Sequence, residues 1–166
     1  MHTKAQPTNQ PGTYLLLMQL EEVQQIEVGR LGTLLLKAGW YLYIGSAFGP
    51  GGIQARCGHH RKISIRPRWH VDYLRIVAPL REIWFSHDPV RREHQWAELV
   101  RERRGMQVPL QGFGSSDCDC ETHLLYTAQS PSFDGFRRRT YRAIAGHAMI
   151  KRESIHALPE DAGHDH

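Results

Sequence analysis

Long apolar runs are missing from this chain of 166 residues. Its aliphatic stretches, such as Leu15-Leu16-Leu17 and Leu34-Leu35-Leu36, fall far short of the about 20 residues a membrane-crossing helix needs. Cysteine is scarce as well. Cys57, Cys118 and Cys120 are odd in number and too few to frame a chain of this length with disulfides. The polar start from Met1 to Pro11 has no apolar core of the kind a secretory leader carries. Together these absences point to a reducing, cytoplasmic setting without membrane attachment. No internal repeat is present, and no large excess of one charge. The net charge is +4, a surplus that proteins without a polyanionic partner share.

What is present is an ordinary globular composition. Apolar residues make up 40% and charged residues 23%, which excludes a disordered chain and leaves material for one real core. The basic residues are mostly arginine and they cluster: Arg61, Lys62, Arg66 and Arg68; Arg91 and Arg92; Arg101, Arg103 and Arg104; Arg137, Arg138 and Arg139. A guanidinium is a planar fork of donors that matches phosphate oxygens, so such clusters suit a nucleic acid. A solvated charged surface would show the same clusters, and composition leaves both readings open.

Residues 1–11, rich in Gln, Thr and Pro, predict a disordered lead-in, and 131–166 a basic C-terminal extension ending in a charged tail. Between them, 12–130 predicts one α+β domain with a small, mostly antiparallel central sheet flanked by helices. Tyr14 to Met18, Ile26 to Val28, Thr33 to Lys37, Trp40 to Ser46, Glu82 to Ser86 and Thr122 to Thr127 predict strands. Ile53 to Lys62 and Arg68 to Ile76 predict helices. Asp88-Pro89 supplies a capping carboxylate and a proline at the first turn, which predicts a helix from there to about Arg104, stopped by Gly105. Leu110 to Glu121 predicts a loop, and Arg137 to Lys151 a basic helical stretch.

Three places carry candidate chemistry. In Tyr41-Leu-Tyr-Ile-Gly45 the alternation puts Tyr41, Tyr43 and Gly45 on one face, so a strand with Leu42 and Ile44 inward presents two phenols outward. Arg56 and His60 lie four apart and share a helix face, behind Gly49, Gly51 and Gly52, which permit close approach of a backbone or a phosphate. Glu93 falls in a stripe with Val90, Ala97 and Val100. A carboxylate in such a stripe needs a counter-charge, a metal or a cleft edge. An aromatic-rich strand, a surface Arg–His pair and a salt-bridged glutamate would explain the same three features without any function.

Taken together the residues resemble the GIY-YIG nuclease superfamily. Gly12-Thr13-Tyr14 nearly matches the first half of that signature, with threonine where isoleucine is usual, and Tyr43-Ile44-Gly45 matches the second half fully. Arg56 and His60 match the helix that follows, and Glu93 matches the later metal-binding glutamate. The resemblance spans about Gly12 to Thr127. It is most specific to an uncharacterised branch, found alone or fused to endonuclease III-like proteins. Its marks here are Val28-Gly-Arg-Leu-Gly32, Tyr41-Leu-Tyr-Ile-Gly-Ser-Ala47, Trp69-His-Val-Asp-Tyr73 and Gly112-Phe-Gly-Ser-Ser-Asp-Cys118. The gap between the two tripeptides is longer than in typical members, and the asparagine many active members carry near the end of the site has no counterpart around Gly105.

The resemblance implies metal-dependent hydrolysis of nucleic-acid phosphodiesters, DNA in particular, with repair as a setting. One Mg²⁺ or Mn²⁺ is implied on Glu93, with Tyr14 taking a proton from the attacking water and Arg56 offsetting charge on the phosphate. His60 and Tyr43 are implied to position groups, with a proton relay as a second role for His60. A catalytically inactive nucleic-acid-binding module of the same fold is the alternative. A third reading is a zinc-stabilised interaction protein. Cys118, Cys120 and His123 would hold Zn²⁺ with Cys57 or a histidine as fourth ligand, although their spacing is not a standard zinc pattern and cysteines also serve as small buried residues. His70, Asp72 and Asp117 are secondary cleft candidates or structural groups.

Overall fold

A computed structural model describes residues 6–28, 32–63, 70–109 and 123–155. Seven strands and four helices are found among them: β1 Gly12–Leu20, β2 Gln24–Val28, β3 Gly32–Leu36, β4 Gly39–Ala47, α1 Gly52–Arg61, α2 His70–Val77, β5 Leu80–Ser86, α3 Glu93–Arg101, β6 Leu124–Thr127, α4 Phe133–Ala143 and β7 Ile150–Ser154. Five strands form one sheet in the order β6-β4-β1-β5-β7, every pairing antiparallel. β2 and β3 make a separate hairpin. The fold is α+β.

β1 is central because it is apolar on both faces, as a strand covered on both sides must be. Tyr14, Leu16 and Met18 pack on one side with Ile53 and Cys57 of α1 and Val71 and Leu74 of α2. Leu15 and Leu17 pack on the other with Trp96 and Val100 of α3 and Phe133 and Phe136 of α4. A sheet between two helical layers leaves no strand face open. Of the two phenols predicted to point outward from β4, Tyr41 is covered, 1% exposed under the same layer as Tyr14, while Tyr43 is only partly buried.

Two helix boundaries differ from the sequence expectation. α3 begins at Glu93, four residues after Pro89, because the intervening backbone is committed elsewhere. The Asp88 carboxylate accepts from Val90 N (2.9 Å) and from Ala148 N (2.8 Å), so it ties a turn to the segment after α4 and caps no helix. Thr13 Oγ1 accepts from Arg92 N (3.1 Å), anchoring the start of α3 to β1. Val90 is accordingly outside the helix and 51% exposed, and the buried stripe of α3 is Trp96, Ala97 and Val100. The stretch from Arg137 to Lys151 is not one helix. α4 starts earlier, with Ser132 Oγ accepting from Gly135 N, and the chain then turns at Gly146 (φ +78°) into β7.

Both ends of the described chain contribute to the core unit. β7 pairs with β5 at one edge of the sheet. At the start, the carbonyls of Gln10 and Thr8 accept from Ile53 N (3.0 Å) and Gln54 N (2.9 Å), so the segment predicted as a lead-in docks on the first turn of α1. Gly52 is required there. Its φ is +60° and a Cβ would lie 2.2 Å from the Asn9 carbonyl oxygen. At Gly52 the close approach is made by the chain's own backbone.

Candidate functional site

An open cavity of about 540 Å³ lies where β4, α1 and the start of α3 meet. β4 contributes Tyr43, Gly45 and Ser46, α1 contributes Arg56, and α3 contributes Glu93 and His94. Arg91 and His123 complete the polar wall from the segments just before α3 and β6. The lining is cationic and imidazole-rich around one carboxylate, so the cavity is polar rather than apolar.

Of the five residues singled out for catalysis, Tyr43, Arg56 and Glu93 line this cavity. Tyr14 and His60 stand behind it, 0% and 1% exposed. The Tyr14 hydroxyl and His60 Nε2 share a hydrogen bond of 3.0 Å, and the Tyr43 ring lies 6.5 Å from that of Tyr14 and 6.0 Å from that of His60. Register makes this layer. Tyr14 pairs with Gly45, and a Cβ at Gly45 would sit 2.6 Å from the Tyr14 hydroxyl. Glycine is needed so that the phenol can lie across the strand.

Burial governs the titration of this buried layer. It pushes the Tyr14 phenol well above its ordinary value; Tyr43 and Cys57 add to the rise, and the Arg56 guanidinium opposes it. Burial, with the neighbouring His59, brings His60 down to about 3. At neutral pH both groups are therefore uncharged. A neutral, enclosed phenol is poorly suited to take a proton from water, and a neutral imidazole is a fixed hydrogen-bonding partner rather than an acid.

Glu93 opens α3, where a carboxylate complements the helix dipole. Its Oε2 lies 3.3 Å from His123 Nδ1, and the His94 and His123 rings are 5.7 Å apart. Ligand atoms of Glu93, His94 and His123 all lie within 4.8 Å of one another. Arg91 stacks its guanidinium 4.7 Å from the Phe48 ring and donates to Ser46 Oγ at 3.3 Å, which aims it along the cavity rim.

The secondary candidates separate. Asp72 is buried on α2 and pairs with His59 Nε2 at 2.9 Å, which joins α1 to α2 behind the cavity. His70 begins α2. Asp117, Cys118 and Cys120 lie outside the described residues. Cys57, considered as a fourth zinc ligand, is a thiol of the α1 core, 0% exposed and raised by burial to about 12; no metal-ligand grouping among the described residues includes it. Sequence reasoning missed His94 and His59, and had named Arg91 only within an arginine cluster. The signals were the dipeptide Glu93-His94 at a helix start, the arginine pair before it, and the adjacent His59-His60.

Comparison with known proteins gives one family. A model described as "Domain of unknown function DUF123" matches residues 13–145. No curated protein and no solved structure matches the chain. That span takes in the whole of the central strand from Thr13 onward and every residue named above as lining the cavity, and the chain belongs to the DUF123 family.

Proposed function

We propose that the cavity is a GIY-YIG-type site for metal-dependent hydrolysis of nucleic-acid phosphodiesters, acting on DNA. The observation that carries this reading is the meeting of Tyr43, Arg56 and Glu93, from three separate elements, in one polar cavity that an anion can enter. The resemblance to GIY-YIG nucleases had named the same three residues. It is supported further by the explanation found for Gly45, which the signature shares.

The donor set fits a divalent ion. Glu93 offers a carboxylate to Mg²⁺, which favours oxygen and retains waters; Glu93 with His94 and His123 offers a mixed set that suits Mn²⁺ better. When bound, such an ion supplies Lewis acidity and a more acidic water. The chain's own residues do the rest. Arg56 and Arg91 hold the phosphate and offset charge that grows on it. Tyr43, the phenol that lines the cavity, orients the attacking water by hydrogen bonding. Tyr14 and His60 form a rigid neutral backing that fixes Arg56 and Tyr43, so the proton-accepting part expected of Tyr14 passes out of that residue's reach.

The burial of Tyr14 also favours a second reading, a module that binds nucleic acid without turnover. One paired experiment separates them. Purified protein is offered single-stranded, duplex and branched DNA with Mg²⁺ or Mn²⁺, beside Glu93→Gln. The nuclease reading expects nicking that is stronger with Mn²⁺ and lost in Glu93→Gln, with binding and melting temperature retained. Binding without cleavage by the parent protein on every substrate would leave the module. Cleavage undiminished per folded molecule in Glu93→Gln would remove Glu93 from the reaction.

A further inference from the structure

A second cavity, of about 170 Å³, lies on the opposite side of the sheet between the C-terminal end of α3 and the start of α4. Arg103, Arg104 and Arg139 line it, above a floor that includes Trp84 and Phe136. The surroundings are mostly positive, with Glu102 as the opposing charge near Arg139. Arg139 Nε is fully buried and has no hydrogen-bond partner among the described residues. Arg103 extends to the first turn of α4, where a Cβ on Gly135 would be 3.6 Å from its Nη1. That turn is the positive end of a helix of 11 residues, and its Asp134 carboxylate is turned to solvent and paired with Arg137 at 3.4 Å. Among the described residues no ion pair is made by Arg103, Arg104 or Arg139.

Such a grouping is costly as it stands. A buried donor without an acceptor forfeits its hydration, and like charges held together repel. The Arg139 guanidinium is held below its usual range by burial, then by Arg103, against a smaller opposing effect of Glu102. An anion with several acceptor oxygens would offer acceptors to the arginines that line the cavity and offset their charge at once. The alcohols of Thr127 and Ser130 on the cavity wall suit the remaining oxygens. The volume is ample for one tetrahedral oxyanion.

We propose that this cavity is a second anion site, taking a phosphate group through Arg103, Arg104 and Arg139. The phosphate can belong to a nucleic-acid strand or to a free phosphomonoester. The site stands on its own geometry, and holds whether or not the first cavity cleaves.

The test uses the full chain with inorganic phosphate, then with a short DNA oligonucleotide, each read by calorimetry against chloride at equal ionic strength. Arg142→Gln, an exposed change outside both cavities, is expected to bind phosphate as the parent protein does. The binding that belongs to this cavity is expected to persist in Arg56→Gln, and Arg139→Gln is expected to weaken it at least tenfold. Arg104→Gln, more exposed and milder, is the second variant should Arg139→Gln fail to fold, with the same direction expected. A matching loss of oligonucleotide affinity in the variants identifies a strand as the source; unchanged oligonucleotide affinity with lost phosphate binding identifies a free phosphomonoester. Phosphate binding that vanishes in Arg56→Gln and survives in Arg139→Gln would assign it to the first cavity and overturn the proposal. So would no phosphate binding together with oligonucleotide affinity equal in parent and variants.

Discussion

The two faces of the central sheet are built from the same strands but by different rules. On the α3 and α4 face, Leu15, Leu17, Leu42 and Ile44 meet Trp84, Trp96 and Phe136, and the core there is almost wholly apolar. On the α1 and α2 face, the same strands contribute Tyr14, Tyr41 and Tyr43, and the layer over them brings His60, Asp72 and Arg75 into burial. Buried polar groups there are tied to one another and to the backbone: Tyr14 to His60, Asp72 to His59, and Arg75 to the carbonyls of His60 and Ala78. One face holds the fold and the other spends stability on aiming side chains at a cavity. The difference implies that changes on the apolar face should act on stability, and changes on the polar face on pH response and function.

The largest effect should come from Trp96→Ala. Trp96 is 0% exposed, packs its ring 5.0 Å from Phe136, and donates from Nε1 to His147 Nε2 at 3.0 Å. Truncation should cost about 3–5 kcal/mol, measured by urea unfolding. A loss under 1 kcal/mol would mean that this face does not carry the core. Asp88→Ala should come next, because it strips acceptors from Val90 N and Ala148 N and a partner from Arg92 Nε at 3.3 Å. About 1–3 kcal/mol is expected from leaving those donors unpaired. Burial alone would raise the Asp88 carboxyl, but the two N–H donors and Arg92 outweigh it and hold the group below its usual range.

These comparisons also account for what the sequence made legible. β1 and β4 were readable because strands at the centre of a covered sheet are apolar or aromatic, as Tyr14 to Met18 and Trp40 to Ile44 are. β7 was not, because Ile-Lys-Arg-Glu-Ser at a sheet edge alternates weakly and reads as a charged tail. Glu93 was marked by its place among apolar residues, although that stripe was anchored on Val90, which lies outside the helix. The start of α3 could not be found locally: Thr13, 79 positions away, holds Arg92 N. The residues proposed for the site were visible because glycine and polar residues were out of place for a core. His94 was not, since an exposed histidine on a helix looks like any other surface residue. The Arg103 and Arg139 cavity was invisible for a related reason: clustered arginines look alike until one is seen without an acceptor.

A third effect separates the faces by pH. His60 is held near 3 in the folded chain, against about 6.5 when unfolded. Between those values the unfolded chain binds the proton and the folded one does not. Stability from this group is therefore full above about 6.5 and is lost as pH falls toward 3, by at most about 1.4 kcal/mol per pH unit. His60→Gln should flatten that part of the profile of melting temperature against pH. A profile of equal slope in parent and variant would place the titrating group elsewhere.

The smallest effect should be Tyr14→Phe, and it is the sharpest test of the polar face. The change keeps the ring against Gly45 and removes the hydroxyl that meets His60 Nε2. One neutral hydrogen bond is worth about 0.5–1.5 kcal/mol net, so the fold should survive with a modest loss. Consequences beyond stability follow from what the hydroxyl touches. The Arg56 guanidinium lies close enough to influence Tyr14, so its removal frees Arg56 from one constraint while leaving the charge in the cavity. If Tyr14 is a positioning residue, cleavage should fall, binding of DNA should hold, and the fall should be the same at pH 7 and pH 9. If Tyr14 is instead the group that takes the proton, the parent protein should gain activity as pH rises toward the phenol's range, and Tyr14→Phe should lose that pH dependence together with all activity. Parallel pH–rate profiles for parent and Tyr14→Phe would keep the proton transfer in the cavity, among groups that solvent can reach.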